Sequence, residues 1–195
     1  MYIAIEGIDT AGKSTQIAQL QKEFNNAIIT KEPGATEVGA EIRKMVLSGN
    51  VESKKAEFLL FLADRAEHIQ KVVKPNLETK MIISDRSAVS GVAYALVQGG
   101  VRTEDIVIFN HFATTKIYPQ KVYLLELTQK ELEFRLSQKE LDGIELRGVE
   151  YLLSIQNALV KASELLGIEL VTIDATLSKE EITRLIVEDI NSSSL

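Results

Sequence analysis

Gly7, Gly12, Lys13 and Ser14 fit the pattern G-x-x-x-x-G-K-[ST], and that spacing has a chemical use. The two glycines let the backbone fold tightly around an anion. The amides of Gly7, Ile8, Asp9, Thr10, Ala11, Gly12, Lys13, Ser14 and Thr15 are then available to phosphate oxygens. Lys13 adds a mobile positive charge, and Ser14 a hydroxyl for Mg²⁺. The flanks agree with this use. Tyr2 to Ile5 reads as a short buried strand, and Gln16 to Phe24 as a helix with Ile17, Leu20 and Phe24 on one side. A strand, a glycine turn and a helix predict a site for a nucleoside polyphosphate.

Other candidate groups follow later strands. Lys31-Glu32-Pro33-Gly34-Ala35-Thr36 reads first as a turn, with Thr36 placed to cap a helix. Its functional reading turns Glu32 and Lys31 toward a cleft. Phe61 and Arg65 are four apart and share a helix face. They suit either a core helix with an outward ion pair, or an aromatic platform with a guanidinium reading a base edge. Asp85-Arg86 ends an apolar strand, where an unpaired buried charge is costly. Arg86 can grip phosphate in bidentate fashion, and Asp85 can hold Mg²⁺ through water or orient Arg86. Ser90 and Tyr94 follow at helical spacing. Arg135 to Arg147, through Lys139, is charged and reads as a solvated turn or as a lid that brings cations to a phosphoryl group. Isolated His68 and His111 read as surface or internally satisfied side chains.

These groups need a frame. Apolar runs predict strands at 2–6, 27–31, 81–85, 121–127 and 168–173. Helical patterns fall at 13–24, 36–48, 53–78, 88–98, 103–115, 129–139, 145–166 and 178–190. Alternation of this kind predicts a parallel sheet with helices on both faces and ligands at the carboxyl ends of the strands. The 195 residues carry no repeat or linker, so one domain, 1–195, is expected. A net charge of −6 without a basic block argues against nucleic acid as a partner. The lack of cysteine excludes a disulfide framework and a thiolate zinc site. No apolar run is long enough to span a bilayer, and no signal-peptide pattern opens the chain, so a cytoplasmic location is expected.

Taken together, these segments resemble the thymidylate kinase family of P-loop nucleoside monophosphate kinases. Glu6 to Thr15 resembles its phosphate loop, including aspartate at the third position. Lys31 to Thr36 is similar to R-E-P-G-G-T, and Leu60 to Ala66 to the base-binding helix. Asp85 to Tyr94 is similar to D-R-Y-x-x-S-x-x-A-Y, with Ser87 in place of tyrosine, and Glu140-Leu141-Asp142 to the lid core. The resemblance implies a P-loop NTPase fold with sheet order 2-3-1-4-5, a short lid within about 135–150, and a homodimer formed through helices. It implies Mg²⁺-assisted transfer of the ATP γ-phosphoryl group to dTMP, giving dTDP for dTTP synthesis. Asp9, Lys13 and Arg86 would be the catalytic set. Asp9, Glu32, Phe61, Arg65, Arg86, Ser90 and Tyr94 would line the dTMP pocket, and Ser14 and Asp85 would serve the metal. Thr10 stands where part of the family carries a loop arginine, so a lid cation has to replace it, with Arg135, Lys139 and Arg147 as candidates. Two other readings stay open at this stage: a small P-loop kinase with another acceptor, and a nucleotide-dependent switch.

Overall fold

A computed structural model describes residues 1–138, 140 and 145–192. The short apolar runs pair as a five-stranded sheet, with every neighbouring pair parallel. Its strands are β1 (Tyr2–Glu6), β2 (Ile28–Lys31), β3 (Ile82–Asp85), β4 (Lys121–Glu126) and β5 (Glu169–Asp174). Their spatial order is β2-β3-β1-β4-β5, as the resemblance implied. The register sets Ile5 beside Asp85 on one side and Tyr123 on the other, so the ends of β1, β3 and β4 form one rim.

Among the described residues eight α-helices accompany the strands: α1 (Lys13–Glu23), α2 (Glu37–Leu47), α3 (Lys54–His68), α4 (Ala88–Gln98), α5 (Thr103–Thr114), α6 (Gln129–Ser137), α7 (Val149–Leu166) and α8 (Lys179–Ser192). Strand residues alternate between two apolar layers. Ile3, Ile5, Ile83 and Leu125 face Ile17 and Leu20 of α1 and Ile182 and Ile186 of α8. Ala4, Val122 and Leu124 face Phe58 and Leu62 of α3, Val89 and Val92 of α4, and Leu159 of α7. Burial on both faces explains why the strands read as continuous apolar runs.

Two predicted helices are shorter than their periodicity suggested. The pattern at 53–78 gives α3 only to His68; a π-helical turn, Ile69–Val73, follows. There the Lys74 amide bonds to the Ile69 carbonyl at 2.9 Å, and Pro75 lies next in the chain. The wider turn keeps Ile69 and Val73 packed on Tyr2 and Ile82. The pattern at 145–166 divides at Gly148, whose φ of +92° separates a 3₁₀ turn, Glu145–Arg147, from α7. Lys139 and Leu141 to Ile144 lie outside the described residues, and with them much of the expected lid. Among the described residues no helix is long and apolar enough to cross a membrane.

Leu159 is fully buried between α7 and the sheet. Leu159→Ala should cost about 2–5 kcal/mol of stability by removing buried methyl groups and leaving a cavity. A lowered urea midpoint with an unchanged slope would register it; an unchanged midpoint would count against this packing.

Candidate active site

The phosphate loop leaves β1 and enters α1 through Gly12, which has a φ of +99°. Among the described residues no side chain caps the start of α1, whose free amides suit an anion. Gly7 has a φ of +148°, and a Cβ there would sit 2.9 Å from the Leu125 carbonyl oxygen, so the loop passes too close to β4 for any side chain. Lys13 is buried, and its Nζ donates to the Ile8 carbonyl at 3.0 Å.

Arg86 reaches the same loop from the end of β3. Its Nη2 meets Asp9 Oδ1 at 2.7 Å, and its Nη1 donates to the Gly7 carbonyl at 3.1 Å and to Ser90 Oγ at 3.2 Å. Lys13 Nζ is 3.8 Å from the same Asp9 oxygen. One carboxylate thus stands beside two cations. Burial, and then the Arg86 charge, push the Lys13 pKa down to about 8. Arg86 holds a left-handed backbone, φ +67°, an arrangement that costs about 1–3 kcal/mol outside glycine. Its amide bonds back to the Ile5 carbonyl at 3.0 Å, which ties the strained turn to β1.

Behind Arg86 stands Glu6, fully buried at the end of β1. It accepts from Ser87 Oγ at 2.8 Å, from the Ser90 amide at 3.2 Å and from Ser90 Oγ. Burial raises its pKa. Ser87 also accepts from the Val89 amide at 3.2 Å and so caps α4. That second task gives a physical use to the serine found where the family pattern has tyrosine. Glu6 was missed in the sequence, although the desolvation argument applied to Asp85 fits it equally well.

A cleft of about 570 Å³ opens between α2, α3, α4 and the start of α7, a size that suits a small organic ligand. Asp9, Glu32, Phe61, Arg65, Arg86, Ser90 and Tyr94, all expected there, line it together. Tyr94 lies on the Arg86 side, with the guanidinium carbon 5.9 Å from the ring centre. Burial, stronger here than the opposing Arg86 charge, raises its hydroxyl pKa to about 12. Lys31 is exposed and lies outside this lining. Arg43, Gln98 and Tyr151 also line the cleft and were not anticipated. Arg43 is an exposed helix residue whose Nη1 donates to the Pro33 carbonyl at 3.2 Å, and nothing in its spacing set it apart.

The lid candidates separate. Arg135 is tied to the loop's outer side: it donates to the Thr10 carbonyl at 3.0 Å, the Ala175 carbonyl at 2.7 Å and Glu131 Oε1 at 2.7 Å. Arg147 lines the cleft, its guanidinium carbon 5.0 Å from the Tyr151 ring centre and its Nη1 donating to Tyr151 OH at 2.9 Å. Lys139 is outside the described residues.

A magnesium ion fits the groups present. Ser14 is exposed at the start of α1, and Asp85 Oδ1 is buried without a hydrogen-bond partner among the described residues. Among the described residues no set of three His, Cys, Asp or Glu side chains could cage a metal.

The sequence matches the family described as Thymidylate kinase over residues 5–186. It is 70% identical over 191 residues to a thymidylate kinase of Sulfurimonas denitrificans, covering 98% of this chain and 100% of the relative. It is 54% identical to a thymidylate kinase of Wolinella succinogenes, covering 93% of this chain and 94% of that one. The fold is shared with the crystal structure of thymidylate kinase from Ehrlichia chaffeensis, at a TM-score of 0.73 and 23% identity, covering 98% of both chains.

The Lys13 pKa gives opposite signs for binding and stability. ATP affinity should fall as pH rises through about 8, since the phosphates lose a cation. The folded pKa lies below the ordinary 10.5, so between about 8 and 10.5 the unfolded chain holds the extra proton, and this group's contribution to stability rises with pH. Lys13→Met should therefore melt higher than the parent at neutral pH without ligand, and the gap should narrow above about pH 8. A gap constant with pH would contradict the shift.

Proposed function

The chain belongs to the thymidylate kinase family, and we propose that it moves the γ-phosphoryl group of ATP to the phosphate of dTMP, giving ADP and dTDP. The observation that carries this reading is the meeting of Lys13 and Arg86 at one Asp9 oxygen, at 3.8 Å and 2.7 Å. One cation belongs to the donor loop and the other to the acceptor cleft.

Lys13 and the loop amides hold the donor's outer phosphates. Arg86 holds the acceptor phosphate, and Asp9, bonded to that guanidinium, fixes the approach. Arg43 adds a second cation on the α2 side of the cleft. Phe61 takes the thymine face, Arg65 its carbonyl edge, and Tyr94 the sugar, where its ring leaves little room for a 2′-hydroxyl. Ser90 steadies Arg86, and Glu32 steadies Arg65. Transfer breaks the bond from the γ-phosphorus to the β,γ-bridging oxygen and forms one to an acceptor oxygen. The acceptor is already anionic, so alignment and charge stabilisation do most of the work. Ser14 and Asp85 would hold Mg²⁺, which neutralises charge on the donor phosphates when bound. Thr10 supplies no cation, and Arg135 is committed to backbone carbonyls. Of the described lid candidates, Arg147 therefore takes the role of covering the transferring group.

The reading extends to one kinase domain over 1–195, its lid within about 135–150, working in the cytoplasm without nucleic acid or membrane. It extends also to a homodimer. Ile108, Phe109 and Phe112 of α5 and Leu59 of α3 are exposed apolar side chains, Phe112 at 83%, and a second copy would cover them.

A coupled ADP assay tests the reaction. ADP should appear with dTMP and Mg²⁺, faster than with dUMP, UMP or CMP; ADP release indifferent to the acceptor would overturn the reading. Arg86→Ala should raise the dTMP KM by about a hundredfold, with a smaller change for ATP. Equal losses for both would count against the place given to Arg86. Phe112→Glu should convert a dimer to a monomer by light scattering, and a parent chain already monomeric would remove the dimer.

A further inference from the structure

His68 is fully buried at the end of α3, and both ring nitrogens are engaged. Nδ1 lies 2.8 Å from Glu32 Oε1, and Nε2 lies 2.8 Å from Thr30 Oγ1. The other Glu32 oxygen accepts from Arg65 Nε at 2.8 Å. Arg65 Nη1 donates to Asn110 Oδ1 at 2.7 Å, and Asn110 is itself fixed by its amide on the Ile106 carbonyl at 2.7 Å. Arg65 Nη2 lies against α4, where a Cβ on Gly91 would come within 2.3 Å of it. The five polar residues Thr30, His68, Glu32, Arg65 and Asn110 are all buried, and they connect β2, α3 and α5.

A carboxylate only accepts, so the His68 proton facing Glu32 sits on Nδ1. Nε2 can then accept from the Thr30 hydroxyl. Burial works against the Glu32 charge, but the Arg65 charge and the His68 hydrogen bond outweigh it and hold its pKa below the ordinary range. Glu32 thus gives one oxygen to each neighbour. Removing the His68 bond frees the carboxylate to turn about its own axis, and Arg65 loses a fixed anchor. A long guanidinium side chain discriminates well only when its fork is held in advance.

We infer that His68 is a positioning residue for nucleobase discrimination: it fixes the plane of the Glu32 carboxylate and, through it, the seat of the Arg65 guanidinium in the cleft wall. The inference rests on the reading of dTMP as acceptor. It goes further by assigning selectivity to a side chain outside the cleft lining.

Two substitutions separate this from plain space filling. An asparagine amide reaches roughly where Nδ1 stands and can still donate to Glu32. A glutamine amide reaches roughly where Nε2 stands and can bond Thr30, but not Glu32. Glutamine fills the cavity better, so packing alone favours His68→Gln, whereas positioning favours His68→Asn. His68→Gln should raise the dTMP KM by about tenfold, leave the ATP KM unchanged, and narrow the preference for dTMP over dCMP, which shows an amino group where thymine shows a carbonyl. His68→Asn should restore most of both. Parent-like selectivity in His68→Gln, or a His68→Asn variant worse than His68→Gln, would overturn the inference. In the parent chain, NMR of the histidine ring nitrogens should find the His68 proton on Nδ1. A neutral ring protonated only on Nε2 would also overturn it, whether or not the variants fold. A parent inactive on dTMP overturns the underlying reading and this inference with it; an active parent with unaltered variants overturns this inference alone.

Discussion

The structure depends on keeping two positive charges close together in a site that is largely closed to water. Burial and the Arg86 charge work against the Lys13 cation, while the carboxylates of Asp9, Asp85 and Glu6 favour it. The arrangement is held from behind. The Ile5 carbonyl fixes the Arg86 backbone, Glu6 fixes Ser90, and Ser90 in turn meets the guanidinium. All of these groups stand at one rim of the sheet because parallel strands end there together. Cations held in place before the ligand arrives suit phosphoryl chemistry, since the stabilising groups then need not rearrange during the reaction.

Much of this was legible in the sequence, for identifiable reasons. The five strands and most helix limits follow from apolar runs bounded by turns, since burial on both faces leaves little room for polar residues. The phosphate loop was legible because its chemistry uses contiguous residues. Asp85-Arg86 was legible because charge at the end of a buried strand demands an explanation. Arg43, Asn110 and His68 were not. Their roles depend on neighbours 10, 45 and 36 positions away, and only the folded chain supplies those neighbours. His68 was expected to be either exposed or internally satisfied; it is satisfied, and the partner that satisfies it lines the cleft. The extent of the helix after Phe58 was also hidden, because apolar periodicity continues through Ile69 and Val73 while the hydrogen bonding changes to a π turn.

The arginines near the site show how location divides one side-chain type into different tasks. Arg65 is enclosed by polar partners, Glu32 at Nε and Asn110 at Nη1. Arg86 joins two halves of the site. Arg135 serves as a backbone tie between the phosphate loop and the turn after β5. Arg147 lies on the Tyr151 ring in the cleft lining. Residue type alone would rank them equally, and only the partners distinguish them.

Gly91 carries a consequence beyond packing. The space for the Arg65 terminus exists because α4 has a bare Cα at that point. One methyl group there would displace the guanidinium while every charged and hydrogen-bonding group in the chain stayed the same. A glycine codon becomes an alanine codon by a single nucleotide change. The seat of the Arg65 guanidinium is therefore one mutational step from disturbance, at a site with no functional group of its own.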